Sequence, residues 1–180
     1  MGAPNPNPIA AGSGPPYYSL TVNQVQWMEA AFALADEAAS DGEIPVGAVI
    51  VSREGRIIGR GRNRRESGDP LGHAEIYAIH EAARVIGDWR LEGTTMYVTL
   101  EPCAMCAGAL VNARVERLVF AAYDPKAGFC GSLGNLVQDA RLNHRLEVEG
   151  GFMEERSRAM LQAFFRQLRQ RDRTERWQSG

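Results

Sequence analysis

Apolar and polar positions along this chain follow two periods, and the switches between them mark out its elements. Met28, Ala31, Phe32, Ala35 and Ala39 recur at helical spacing, which predicts a helix to about Ser40. Thr21 or Asn23 can cap it, and Asp41-Gly42 ends it. Val46 to Ser52 is a short apolar, β-branched run, read as a buried strand. Glu54-Gly55 is a turn, and Arg56 to Arg62 follows as the hairpin partner. A polar loop, Asn63 to Gly72, leads to a second helix from about His73 to Ile86, with Ile76, Ile79, Ala83 and Ile86 expected inward and Gly87 as its stop. Thr95 to Leu100 reads as a strand that Glu101-Pro102 breaks. A helix to about Asn112 follows, then a strand from Arg117 to Ala122. Tyr123 to Gly134 is a loop, Asn135 to Asp139 a short helix, and Leu146 to Glu149 an edge strand. Phe152 to about Arg173 is a long amphipathic helix, with Met160, Leu161, Phe164, Phe165 and Leu168 as its stripe.

Strands alternating with helices predict an α/β layered fold whose sheet has a largely parallel part. A single domain over residues 21–173 accounts for every periodic segment. Residues 1–20 are rich in Pro, Gly, Asn and Ala and carry no charged side chain, so a disordered tail is expected there. Residues 174–180 are expected to fray.

Composition changes this picture little. With 180 residues and 44% hydrophobic content the chain can bury a real core. Its net charge of −2 makes no global case for nucleic acid. The distribution is uneven: up to Val51 the only charged side chains are acidic, whereas seven Arg stand against Asp172 and Glu175 between Arg156 and Arg176. A basic binding surface at the C-terminal end and a merely solvated helix face both fit that asymmetry. There is no basic segment followed by an apolar stretch at the start, and no run able to span a membrane, so the cytoplasm is the expected location.

The chemistry lies in two stretches, His73-Ala74-Glu75 and Pro102-Cys103-Ala104-Met105-Cys106. Imidazole and thiolate are zinc donors, and three of them leave a fourth position open for water. Glu75, two residues from His73, can sit beside the metal without binding it, take a proton from water and hand it to a leaving group. If Pro102 opens a helix, both thiols lie on one face of its first turn, where the helix dipole favours thiolate. His73 and Glu75 also open a helical pattern, so two helix N-termini would converge on one ion. A lone C-x-x-C could be a redox pair, a disulfide or half of a structural site. The upstream H-x-E moves the reading to a catalytic zinc, its main rival being a closed site with Cys130 as fourth ligand. H-x-E with P-C-x-x-C is the pattern of zinc nucleobase deaminases.

Other residues are less decided by spacing. Asn63 can read a purine edge or be an ordinary loop residue. His80 falls too far along its helix to share the ion with His73. His144 can touch a phosphate or pack. The loop from Asp124 to Gly131 suits an RNA contact and an ordinary connector equally.

Taken together, His73 to Ile76, Pro102 to Ala109, the Asp124–Gly128 and Gly131–Leu133 loop, Ile44 to Val49 and Asn143-His144-Arg145 resemble the bacterial tRNA-specific adenosine deaminases, within the cytidine-deaminase-like superfamily. The resemblance covers roughly Val25 to Arg169. It implies a three-layer α/β/α fold around a five-stranded mixed sheet, and a homodimer with one Zn2+ per subunit. It also implies conversion of adenosine to inosine at the wobble position of a tRNA-Arg anticodon loop. His73, Cys103 and Cys106 would be the zinc ligands and Glu75 the catalytic proton shuttle. Asn63, Ile44 and Ala74 would contact the base. Asp124, Lys126, Asn143, Phe165 and Arg166 would contact the anticodon stem-loop. One departure stands out: the family usually has Thr-Ala where this chain has Leu71-Gly72, ahead of the ligand His. His80 replaces a residue that is commonly Arg.

Two rival functions share parts of this evidence. A deaminase of free guanine or cytosine would use the same zinc chemistry without needing the basic C-terminal helix or the Asp124 loop. A non-catalytic zinc-stabilised RNA-binding module would have no use for Glu75.

Overall fold

The structure is a computed structural model that describes the backbone of residues 17–178 and the side chains of residues 23–171. In chain order it comprises α1 (Tyr17–Ser40), β1 (Gly47–Val51), β2 (Ile57–Arg62), α2 (Ala74–Ile86), β3 (Thr95–Leu100), α3 (Ala104–Asn112), β4 (Arg117–Ala122), β5 (Glu147–Gly150) and α4 (Glu154–Gln178), with a 3-10 turn at Leu136–Gln138. The strands form one sheet in the order β2-β1-β3-β4-β5. β1 runs antiparallel to both β2 and β3, while β3, β4 and β5 are parallel. The five-stranded mixed sheet implied by the resemblance is therefore present, and β5 lies at an edge.

Side-chain alternation across the strands builds a core on each face. Ala48 and Ile50 of β1, Met96 and Val98 of β3, and Leu118 and Phe120 of β4 face α2 and α3. Val49, Val51, Tyr97, Val119 and Ala121 face the other way, against Met28, Ala31 and Phe32 of α1 and Met160 of α4. Helices on both faces explain why the central strands read as unbroken apolar runs. Arg156 secures α4 to α1 through an ion pair with Glu29, and its guanidinium lies 4.2 Å from the centre of the Phe32 ring.

Three expectations need correction. α1 begins at Tyr17, upstream of the caps expected at Thr21 or Asn23, directly after Pro15-Pro16, where a helix can start but not be continued backwards. Of the tail expected over residues 1–20, residues 17–20 belong to α1, and residues 1–16, like the last two residues of the chain, lie outside the described residues. α4 runs past Arg173 to Gln178 because no Gly or Pro interrupts it.

The third correction concerns the buried face of α2. Ala74, Ala78 and Ala82 are fully buried, Ile76 and Ile79 are half-buried, and Ile86 is 43% exposed. The helix lies so close to β2 that only alanine fits beneath it. A Cβ on Gly61 would stand 1.9 Å from the Ala74 carbonyl oxygen, and one on Gly59 2.2 Å from that of Ala78. Because the obstacle is backbone, Gly61→Ala has to push α2 off the sheet. We expect a loss of about 2 kcal/mol or more, a lowered thermal midpoint, and weaker activity, because the displaced end of α2 carries His73 and Glu75. A calorimetric melt at the wild-type temperature would contradict this packing argument.

Candidate active site

β2 and β3 deliver the two halves of the site. The loop after β2 ends at His73, the N-cap of α2, with φ −89° and ψ 147°. β3 ends at Leu100, and Cys103 is the N-cap of α3, with φ −71° and ψ 174°. An N-cap side chain ordinarily accepts a bond from its own helix. Neither His73 nor Cys103 does so, which frees both to turn toward each other. The positive ends of both helices then face one point.

His73 Nδ1 lies 3.6 Å from Cys103 Sγ and 3.5 Å from Cys106 Sγ. One donor atom from each of these three residues falls within a 4.8 Å cluster, a grouping that can hold a metal ion. The electrostatics fit a divalent soft cation. Cys103 is drawn down to about 3, first by its bond with Cys106 and then by His73. Cys106 is pushed upward by the same bond and by burial. The bond to Cys103 also raises the pKa of His73. Binding a metal ion requires both thiols to release their protons.

Glu75, in the first turn of α2, is only 3% exposed. Burial raises its carboxyl pKa above the usual carboxylate range. Cys130 does not join the cluster. Its buried Sγ points to the Pro102 carbonyl oxygen at 3.8 Å, and burial raises its pKa. Cys130→Ala is therefore expected to leave metal content unchanged at the cost of a small loss in stability. Loss of the metal on mass spectrometry would restore Cys130 as a ligand.

The other predicted residues fall into separate groups. Asn63 is 6% exposed, so it is no surface loop residue, and its Nδ2 donates to Glu43 Oε2 at 3.2 Å. Ile44 is half-buried just before β1, and Ala74 is buried against Gly61. The Asp124 carboxylate accepts from the backbone N–H groups of Lys126 and Ala127, which holds the loop's own turn. Lys126, Phe165 and Arg166 line one surface cavity of about 540 Å³ with Arg169. Among the described residues neither Arg166 nor Arg169 has a carboxylate partner, whereas Arg156 and Arg158 pair with Glu29 and Glu154. Asn143 is held elsewhere, its Oδ1 accepting from Arg114 at 2.9 Å. His144 packs: Nε2 donates to the Val115 carbonyl oxygen at 2.7 Å. His80 is exposed and outside the cluster.

Two glutamates that the sequence reading passed over hold the loops around the site. Glu43, 1% exposed, accepts from the N–H groups of Glu66 and Ser67, the Ser67 hydroxyl and Asn63. Burial raises its pKa, but the bonds from Ser67 and Glu66 outweigh it and leave the carboxylate below its usual range. Glu101, 2% exposed, accepts from the N–H groups of Asp124, Cys130 and Ser132 and from the Ser132 hydroxyl. Leu71-Gly72 also acquires a meaning. Gly72 is buried, and a Cβ there would meet the Asp69 carbonyl oxygen at 2.9 Å, so this chain closes its loop more tightly than a larger residue allows.

A three-layer α/β/α protein that brings one imidazole and two thiols together beside a buried carboxylate is built as a deaminase. Comparison with known proteins agrees. Residues 22–169 match the MafB19-like deaminase family. The tRNA-specific adenosine deaminase of Bacillus subtilis is 50% identical over 151 residues, 83% of this chain and 93% of that protein. A solved structure from studies of A-to-I editing by tRNA:A34 deaminases at the wobble position is 41% identical, covers 76% of this chain and 99% of its own, and superposes with a TM-score of 0.72. A guanine deaminase from the same Bacillus species shares the fold over 55% of this chain and 64% of its own, at 40% identity and a TM-score of 0.52. The chain belongs to the MafB19-like deaminase family and, within it, stands with the tRNA-specific adenosine deaminases.

Proposed function

We propose that this enzyme deaminates adenosine to inosine at the wobble position of a tRNA-Arg anticodon loop, in the cytoplasm and as a homodimer. What carries the reading is the convergence of His73, Cys103 and Cys106 beside buried Glu75, in a chain half identical to a tRNA-specific adenosine deaminase. The two thiols and the imidazole fit one Zn2+ per subunit, and that ion, when bound, supplies acidified water at neutral pH.

The remaining work falls to the protein. Glu75 takes a proton from the attacking water and delivers it to the adenine ring nitrogen beside the reacting carbon. It then takes the proton of the new hydroxyl and delivers it to the amino group. The carbon–nitrogen bond breaks, ammonia leaves and a carbonyl remains. Asn63, fixed by Glu43, holds the purine, with Ile44 and Ala74 beside it. Lys126, Phe165 and Arg166 receive the anticodon loop, Asp124 sets the turn that presents Lys126, and Asn143 with Arg114 borders the RNA. An unpaired loop nucleotide costs little to extrude. Among the described residues no helix is long and apolar enough to cross a membrane, and exposed Val85, Ile86 and Trp89 offer an apolar face for a second subunit.

The finer assignment is tested by incubating the zinc-loaded protein with tRNA-Arg carrying adenosine at the wobble position and with the same tRNA carrying the base change to guanosine there. Sequencing should show inosine at that position alone. Inosine at other adenosines, or in neither tRNA, would overturn it. A solution mass of one chain by light scattering would contradict the dimer.

A further inference from the structure

A second basic surface lies on the β2 edge, outside the metal cluster and away from α4. There a cleft of about 780 Å³ runs between β2 and α2, and Arg60, Arg62, Arg64, Arg84 and His80 contribute to its lining. Its acids answer only part of that charge. Glu81 pairs with Arg60, and Glu37 with Arg62, which Asp41 also engages. Among the described residues neither Arg64 nor Arg84 has a carboxylate partner, and both are exposed. The Arg64 guanidinium lies 5.3 Å from the centre of the Tyr77 ring, which presents a flat surface beside a cation.

Position gives the cleft its meaning. Arg62 and Arg64 flank Asn63, the last buried residue before the loop that leads to His73. From Ala74 to Arg84, α2 rises about 15 Å, so the cleft starts at the mouth of the site and runs away from it. On the opposite side, the backbone of Cys103 pairs with Gly128, in the loop that carries Lys126. The metal cluster thus has one basic surface on each flank. A chain net charge of −2 gives no general attraction for a polyanion, so any attraction must come from such local clusters.

We propose that the β2–α2 cleft is a second RNA-backbone site: Arg64 and Arg84 contact phosphates of the strand that leaves the active site on the side opposite α4. Tyr77, whose hydroxyl donates to Asp69 at 2.6 Å, supports the Arg64 guanidinium from beneath. The planar forked guanidinium suits phosphate, so the cleft adds affinity without reading sequence. This inference rests on the tRNA reading above.

The test is tRNA binding by the full-length, zinc-loaded protein, measured against salt. The Arg64→Ala/Arg84→Ala double variant is compared with Arg53→Ala/Arg141→Ala, which removes equal charge from exposed positions outside the cleft lining. Metal content and thermal midpoint check folding in both. Each lost phosphate contact lowers the slope of log affinity against log salt by about 0.7 to 0.9. The cleft variant is expected to lose about 1.5 in slope, bind tRNA roughly ten-fold or more weakly and show a raised KM, while the control stays near wild type. Equal slopes and affinities in the two variants would overturn the cleft. If wild type makes inosine in tRNA and the slopes match, only this inference fails; if wild type makes none, the parent reading fails first.

Discussion

Glu75→Ala is expected to lower turnover by about three orders of magnitude while the protein folds, keeps its metal and binds tRNA as wild type does. The structural grounds are specific. Glu75 donates nothing to the metal cluster, whose three donor atoms come from His73, Cys103 and Cys106. It lies in an α2 face otherwise made of alanine, so an alanine there is compatible with the helix and the sheet beneath it. Its carboxyl is buried beside the Cys106 thiol, and burial raises its pKa, as suits a group that must both take and release protons. Single-turnover inosine formation, together with metal analysis and a tRNA-binding isotherm, checks the result. Near-normal turnover would remove Glu75 from the chemistry. Loss of metal alongside activity would make it a structural residue instead.

Glu101→Ala is expected to be among the most destabilising single changes in the chain. Glu101 oxygens accept from three backbone N–H groups, those of Asp124, Cys130 and Ser132. Each buried donor left unpaired costs about 1–3 kcal/mol, so a loss of about 4 kcal/mol is expected. The damage reaches the site, because the same loop bonds back to the metal-bearing segment: Phe129 N–H donates to the Pro102 carbonyl oxygen at 2.9 Å. Glu101→Gln is no rescue. Each carboxylate oxygen faces at least one backbone N–H, so wherever its NH2 points a donor meets a donor. Denaturant unfolding and zinc affinity report both consequences. A Glu101→Gln variant with wild-type stability would show that hydrogen-bond acceptance at both oxygens is not what holds the loop.

Glu101 also shows where sequence reading stops. A glutamate before a proline looks like a turn residue in solvent, and nothing in its spacing tells that the loop from Asp124 to Ser132, 23 to 31 residues later, folds back onto it. Glu43 is hidden in the same way by the loop at Glu66 and Ser67. What was legible depends on local pattern. β3 and β4 begin and end where their apolar runs do, and the two metal-motif segments announce their chemistry because the candidate ligands lie close in sequence to helix starts. The inward face of α2 was misread because the large residues of its pattern, Ile76, Ile79 and Ile86, look like core. The decisive signal was small residues: Gly59 and Gly61 alternate on one face of β2, and Ala74, Ala78 and Ala82 recur every four residues on the helix above. The residues proposed to face RNA were least legible, since Lys126 comes to Phe165 and Arg166 only through the tertiary fold.

The most direct measurement is inosine formation by the zinc-loaded protein. An anticodon stem-loop with adenosine at the wobble position is supplied beside free adenosine and free guanine, and ammonia is followed in each. Inosine in the stem-loop, with neither free compound consumed at a comparable rate, is the result the proposed tRNA function predicts. Ammonia from guanine or free adenosine with an unmodified stem-loop would contradict it, leaving the proton chemistry of Glu75 in place and moving the substrate to a free base or nucleoside.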